Sequence, residues 1–211
     1  MNTWFRKALD IRKGEWGRTG LMVFYIFLII CSYLILKPMT RSLVLKKLGP
    51  EKLPYIYMLV ALVSGVVAVT YARLSARMRL NRLINTTTLF LISNLVIFWW
   101  LLNSGIKAPW LYYVLYTWVS IYGVLTVSQF WLLANYVFNP REARRIFPIL
   151  AAAAIGGGIT GGYLTKALVK PVGGTHNLAF FCMAFLGITM LLMNLAWRRR
   201  AQVSEAPSRK G

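Results

Sequence analysis

Acidic residues are scarce in this sequence, whereas basic residues are abundant. The 211 residues include 5 Asp and Glu against 25 Lys and Arg, which gives a net charge of +20. A nucleic-acid-binding protein can be this basic, but it does not also contain 58% hydrophobic residues. The composition therefore argues against a nucleic-acid partner. It predicts an integral membrane protein whose cations meet the anionic cytoplasmic face of the lipid bilayer.

Metal-binding and catalytic side chains are also scarce. The sequence has one His, His176, and two Cys, Cys31 and Cys182, which lie in apolar runs without His or acidic neighbours. Residues isolated in this way supply neither a metal site nor a disulfide framework. No nucleophile, carboxylate pair or His-based constellation is present, so the sequence predicts no enzyme, no metal and no cofactor.

The few carboxylates lie outside the apolar runs, in loops or tails: Asp10, Glu15, Glu51, Glu142 and Glu205. A proton or sodium relay normally needs a carboxylate inside the membrane. The sequence therefore argues against ion coupling and favours the exchange of anionic solutes.

Long apolar runs divide the chain into six predicted transmembrane helices, since a bilayer core takes roughly 20 apolar residues as a helix. The runs are Leu21–Leu45, Pro54–Ala72, Ile84–Leu102, Trp110–Phe138, Phe147–Leu168 and Leu178–Trp197. We predict an all-α membrane protein with a basic N-terminal segment at 1–20, a bundle at 21–197 and a disordered basic tail at 198–211. Most Lys and Arg residues fall in both terminal segments and in the connections after the second and fourth runs, so both termini are predicted to be cytoplasmic.

Lys37 and Arg41 interrupt the first apolar run and are the strongest candidates for binding. A cation deep in a membrane helix costs at least about 2.5 kcal/mol and usually faces a cavity or a partner. With Tyr33, the two cations share one helix face, where they could hold phosphate and a planar ring. The alternative is that the helix ends near Leu36, before Pro38, and that both cations extend to the membrane surface. The sequence leaves both interpretations open.

Polar residues in the fourth run form a second candidate site. Tyr122, Thr126 and Gln129 lie on one helix face, where they either line a cavity or bond a neighbouring helix. Asn135 lies near the cytoplasmic end of the same run.

Small residues in the fifth run favour close helix packing. Gly157 and Gly161, like Gly158 and Gly162, have the spacing that lets two membrane helices approach closely. A backbone lining for a substrate phosphate is the alternative. The segment is not a P-loop, because the Gly-Lys-Ser/Thr ending is missing.

Two stretches of the sequence contain family motif residues. The first stretch contains Lys37, Pro38, Arg41, Gly49, Leu53, Pro54 and Tyr55. The second contains Phe130, Trp131, Ala134, Asn135, Glu142, Ala143, Arg145, Phe147, Pro148 and the glycines from Gly156 to Gly162. In these residues the chain resembles the ATP/ADP translocase family of intracellular bacteria and plastids and its relatives in free-living bacteria. Ser42 and Tyr136 stand where that family often has acidic residues.

The resemblance implies half of a carrier. It covers the N-terminal half of a major-facilitator-like fold, in which each six-helix bundle is a 3+3 inverted repeat. It also implies a bacterial inner membrane and ATP/ADP-type exchange of nucleotides or related phosphorylated anions. Lys37 and Arg41 would then bind phosphate, and the candidate base or ribose contacts are Tyr33, Tyr122, Gln129 and Asn135. A complete carrier needs a homodimer, a separately encoded second six-helix half, or a longer parent protein that contains this chain. The alternative is a non-transporting membrane anchor or partner-binding module.

Overall fold

Six long helices make up almost all of the part of the chain that the structure describes. A computed structural model describes the backbone of residues 16–104, 108–169, 171 and 177–205 and the side chains as far as residue 197. The helices are α1 Trp16–Leu48, α2 Leu53–Arg77, α3 Leu80–Asn103, α4 Pro109–Val137, α5 Pro140–Leu168 and α6 Leu178–Glu205, and a 3₁₀ turn, Pro50–Lys52, precedes α2. All six are long and apolar enough to cross a membrane, and no strand occurs among the described residues. The predicted all-α fold with six membrane-length helices is confirmed.

Several helices extend beyond the predicted apolar runs. α1 begins at Trp16, so residues 16–20 of the predicted N-terminal segment are helical, and residues 1–15 lie outside the described part. α6 continues to Glu205, because no Gly or Pro interrupts the chain after Trp197 before Pro207. Residues 198–205, which the sequence analysis assigns to a disordered tail, are therefore helical, and residues 206–211 lie outside the described part.

The start of α5 explains why that helix is longer than its apolar run. Pro140 occupies the first helical turn, where its missing N–H is not needed. The backbone N–H of Asn139 donates to Glu142 Oε2 at 3.1 Å, so the first carboxylate of the helix faces its positive end. The helix therefore begins about two turns before Phe147.

α1 is the central helix of the bundle, and it packs against α4, α5 and α6. Its closest approach is to α5, at two glycines. A Cβ added at Gly157 would lie 2.5 Å from the Phe27 carbonyl oxygen, and one at Gly161 would lie 2.6 Å from that of Cys31. Only glycine allows the two backbones to approach this closely.

α1 continues through Pro38, and a hydroxyl of a neighbouring helix lies near the carbonyl that the proline leaves without its backbone donor. Pro38 has no N–H to donate to the carbonyl of Leu34, four residues earlier. The Thr165 hydroxyl of α5 donates to that carbonyl at 3.5 Å and to the Gly161 carbonyl at 2.8 Å. The alternative that the helix ends near Leu36 was therefore wrong, and Lys37 and Arg41 are both helical.

α3 and α6 pack together at both ends of their interface. Asn85 Nδ2 donates to Asn194 Oδ1 at 3.1 Å, while the rings of Trp99 and Phe180 lie 4.6 Å apart at the other end. Interhelical amide bonds of this kind stabilise membrane bundles modestly.

α2 lies at the periphery and packs mainly against α4. Ile56 is its only buried residue, whereas Met58 and Leu62 are 72% and 69% exposed. The apolar exposed surface of α2 is suited to lipid or to a second bundle.

Candidate functional site

A cleft of about 600 Å³ opens between α1, α2, α4 and α5, and it contains both membrane cations. We call it the cationic cleft, and we define it by Tyr33, Leu34, Lys37, Pro38, Arg41, Tyr57, Val60, Tyr116, Ser120 and Gly162. Its volume falls within the range of small-molecule sites in proteins.

The cationic cleft lies well inside the helical bundle. Lys37 and Ser120 are each about three turns from the nearest helix end, and Gly162 is about two turns from the end of α5. These helix ends are the C-terminus of α1, the N-terminus of α4 and the C-terminus of α5, which up-and-down spans place on one side of the bundle. The cleft therefore occupies the half of the bundle opposite the Arg-rich connections at Arg73–Arg82 and Arg141–Arg145.

The Lys37 ammonium group lies over an aromatic ring. Its Nζ is 5.3 Å from the centroid of the Tyr33 ring, one turn earlier on α1, which is within the range of a cation–π contact. The ring in turn lies against Gly123 of α4, where it occupies the space that a Cβ would need. Gly123 therefore allows Tyr33 to take its place beneath Lys37.

Two further tyrosines, which were not predicted from the sequence, line the cleft. Tyr57 of α2 and Tyr116 of α4 have ring centroids 6.1 Å apart, with their planes tilted by 53°. Each lies about one to two turns inside its helix, a position typical of membrane interfacial aromatic residues. Only the packing of α2 on α4 brings them to the face that carries Lys37.

The charge of the cleft is uncompensated within the described part of the chain. No Asp or Glu lines the cleft, and the ion pair seen among the described residues, Arg18 with Glu142 at 3.9 Å, lies elsewhere. Lys37 and Arg41 are both exposed. Two cations in an apolar-walled cleft concentrate a positive field that attracts anions, and a guanidinium can hold a phosphate with two hydrogen bonds.

Tyr122 and Gln129 lie apart from the cleft. Tyr122 is fully buried, and its hydroxyl forms a hydrogen bond with the hydroxyl of Ser32 on α1. Gln129 is 1% exposed, and Thr126 donates to the Tyr122 carbonyl of its own helix at 2.8 Å. Of the two interpretations of this stripe, the structure places Tyr122 in bonding between helices rather than along a cavity.

Asn135 lines a different cleft, about 690 Å³ in volume, where α4 ends and α5 begins. We call it the Trp131 cleft, and it is lined by Trp131, Asn135, Phe138, Pro140, Ala143, Arg144, Phe147, Pro148 and Ala151. Asn135 Nδ2 donates to the Trp131 carbonyl at 2.9 Å, and the Trp131 and Phe147 rings meet edge to face at 5.2 Å. The structure therefore separates Asn135 from Lys37, Arg41 and Tyr33.

The four candidate packing glycines have different surroundings. Gly157 and Gly161 contact the α1 backbone, and a Cβ at Gly158 would lie 3.1 Å from a methyl group of Leu34. Gly162 has no neighbour within 4 Å of an added Cβ, and it lines the cationic cleft. Its backbone is thus exposed to any ligand in the cleft.

No family model matches this chain, and neither a curated protein nor a solved structure is similar to it. The resemblance to ATP/ADP translocases therefore stays a prediction that depends on the motif residues. The described part of the chain contains no group of three His, Cys, Asp or Glu that could hold a metal ion. The cationic cleft and the Trp131 cleft are the candidate functional sites.

Proposed function

We propose that this protein binds nucleotides or related phosphorylated anions in the cationic cleft and transports them as half of a membrane carrier. The observation that carries the proposal is the juxtaposition of Lys37 and Arg41 with Tyr33, Tyr57 and Tyr116 in a cleft that no carboxylate lines. The cations suit phosphate oxygens, and the tyrosine rings offer flat surfaces against which a base can stack.

The helix packing supports a 3+3 inverted repeat. α1 packs against α5 and α6, and α4 packs against α2 and α3. If α1, α2 and α3 are exchanged for α4, α5 and α6, the contacts of α1 with α5 and α6 become the contacts of α4 with α2 and α3. An inverted repeat in carriers places the solute site near the repeat interface, and the cationic cleft is lined by α1 and α4 together with α2 and α5.

A second six-helix unit is needed to close the cleft. Six helices provide one wall of a carrier cavity, and Lys37 and Arg41 stay exposed on it. Either a second copy of this chain or a different half would supply the opposite wall. The excess of Lys and Arg in the connections after α2 and α4 favours cytoplasmic termini, and the family resemblance points to a bacterial inner membrane.

The proposal is tested by binding and uptake of labelled ATP. Vesicles loaded with ADP and carrying the protein, alone or with a candidate second half, are assayed for uptake, and purified protein is assayed for ATP retention. Lys37→Ala and Arg41→Ala are each expected to weaken ATP retention about 10-fold or more, because each removes a charged hydrogen bond to phosphate. Uptake should fall with retention.

Lys46→Ala provides a matched control, because Lys46 is an exposed cation in the last turn of the same helix and does not line the cleft. If both cleft variants retained ATP as well as this control does, the anion site would be disproved. ATP retention without uptake in any combination would instead favour the second candidate, a non-transporting anchor or partner-binding module. That candidate is favoured by Ser42 and Tyr136, which stand where the resembling family often has acidic residues.

A further inference from the structure

The Trp131 cleft and the cationic cleft open on the same lateral face of the bundle, at different heights along the helices. On α5, Arg144 of the Trp131 cleft and Gly162 of the cationic cleft lie about five full turns apart. On α4, Trp131 and Ser120 lie about three turns, or roughly 16 Å, apart. Whole numbers of turns return a side chain to the same helix face, so the two clefts are separate sites on one face, one in each half of the bundle.

The Trp131 cleft contains an unpaired guanidinium. Arg144 is exposed and has no acidic partner among the described residues. The nearby carboxylate of Glu142 is already engaged, since it pairs with Arg18 at 3.9 Å and accepts the Asn139 backbone N–H. Arg144 is therefore available for an anion from outside the chain.

The same cleft also carries groups suited to a planar, hydrogen-bonding ligand. Trp131 is partly exposed and held in place by its edge contact with Phe147. Asn135 uses its amide nitrogen on the Trp131 carbonyl, which leaves its oxygen as an acceptor for a ligand hydroxyl or amine. Pro148 has no N–H for the carbonyl of Arg144, so that carbonyl lacks its usual helical donor.

We infer that the Trp131 cleft is a second binding site for a phosphorylated anion with a planar ring, the nucleotide class, in the opposite half of the membrane from the cationic cleft. Arg144 holds the phosphate, Trp131 packs against the ring, and Asn135 accepts a hydrogen bond from the ligand. The inference rests on the proposed function for its ligand class. It adds that the solute is held at two successive positions along one face rather than at a single central site.

The experiment is photolabelling of the full chain with 8-azido-ATP in phosphatidylcholine vesicles, followed by peptide mapping. We expect labelled peptides from both clefts. Arg144→Ala should weaken labelling of the Trp131 peptide about 10-fold or more and leave the Tyr57 and Tyr116 peptides unchanged, because one charged hydrogen-bonding group is lost. Asn135→Asp, which places a carboxylate in the cleft, should also weaken labelling of the Trp131 peptide. Arg141→Ala is the matched control, since Arg141 is an exposed cation on the same helical turn but does not line the cleft.

The outcomes separate this inference from the proposed function. Labelling confined to the cationic cleft, or labelling of the Trp131 peptide that is indifferent to Arg144→Ala and Asn135→Asp, would overturn the second site and leave the proposed function intact. Labelling confined to the Trp131 cleft and dependent on Arg144 would support the second site and remove the proposed role of Lys37 and Arg41. Absence of labelling at both clefts would overturn both.

A lipid headgroup shares the phosphate chemistry, so the labelling is repeated with phosphatidylglycerol added to the vesicles. If unlabelled ATP suppresses labelling of the Trp131 peptide and phosphatidylglycerol does not, the result supports a nucleotide site. Suppression by phosphatidylglycerol would overturn the assignment to a free nucleotide in favour of a lipid headgroup.

Discussion

The cationic cleft and the Trp131 cleft differ in how they are built. Four helices contribute to the cationic cleft, whereas the Trp131 cleft is formed by the end of α4 and the start of α5, which are adjacent in the sequence. The first has Lys37, Arg41 and three tyrosines, and the second has Arg144 and a Trp–Phe pair. Five motif residues of the family resemblance line the second and lie close together in the chain. The four that line the first are divided between α1 and α5, and they include the costliest membrane residues, Lys37 and Arg41.

The difference teaches that density of a sequence motif and strength of a binding environment are separate properties. A motif that lies on two consecutive helix ends is visible in the sequence because its members are close along the chain. The residues that line a cleft built from four helices are far apart along the chain, so they form no motif in the sequence. α5 lines both clefts, and between those two stretches its Gly157 and Gly161 pack on the α1 backbone, a contact that we call the α1–α5 seam.

The largest expected effect comes from breaking that seam. Gly157→Ala combined with Gly161→Ala places two methyl groups against the α1 backbone, at 2.5 and 2.6 Å from carbonyl oxygens. We expect a loss of about 2–6 kcal/mol in the free energy of unfolding, since each overpacked position costs about 1–3 kcal/mol. Unfolding in mixed micelles measures it, and Gly162→Ala, which meets no atom within 4 Å, is the control. If the double variant and the control were equally stable, Gly157 and Gly161 would not be needed for the packing of α1 on α5.

The next largest effect compares the two clefts directly. Arg41→Ala and Arg144→Ala should each weaken ATP retention at their own cleft by about 1.5–3 kcal/mol, or roughly 10- to 150-fold. Because the clefts lie far apart, the two losses should be independent and additive. Site-resolved retention by the two single variants and the double variant tests this expectation. Coupling well above about 0.5 kcal/mol would indicate that the clefts bind one ligand together or exchange conformations.

A smaller effect is expected at the hydroxyl that supports Pro38. Thr165→Val leaves the Leu34 carbonyl without its partner on α5, and we expect a loss of about 0.6–1.7 kcal/mol in stability. Thr160→Val is the matched control, because Thr160 donates only to Gly156 of its own helix, at 2.9 Å. If both variants were equally stable in the same unfolding assay, Thr165 would not support the helix at Pro38.

The smallest effect concerns the ring beneath Lys37. Gly123→Ala would displace the Tyr33 ring and weaken the cation–π contact, which is worth about 0.5–1 kcal/mol at exposed sites, so ATP retention should change only about 2- to 5-fold. Gly65→Ala in α2 is the control, because its Cβ would meet no atom within 4 Å. A change larger than that of Arg41→Ala would show that Tyr33 contributes more than its contact with Lys37.

Part of the candidate site could be predicted from local sequence, but the full set of residues that line it could not. Lys37, Arg41 and Tyr33 were predicted together because a helix brings every fourth residue to one face, and the structure places them in one cleft. Tyr122 and Gln129, seven residues apart, were also predicted to share one helix face, yet both are buried apart from the clefts. Periodicity identifies a shared face but does not say whether another helix covers that face.

The helix termini show the same limit. The apolar run predicted the fifth helix only from Phe147, because Arg141, Arg144 and Arg145 are not apolar. Capping at Asn139 and Glu142 starts the helix earlier, so Arg144 becomes part of a cleft wall rather than of a loop. A helix can extend beyond the bilayer core because its ends are solvated and capped.

By itself, the sequence determined the six apolar helices and their short connections, because the length and hydropathy of each run are local properties. It also determined that two cations share one face of the first helix. Only the tertiary structure decided that α1 is central and α2 peripheral, that Thr165 meets the carbonyl freed by Pro38, and that Tyr57 and Tyr116 join Lys37. Those contacts join residues far apart in the chain, and they depend on which small side chains let which pair of helices approach closely.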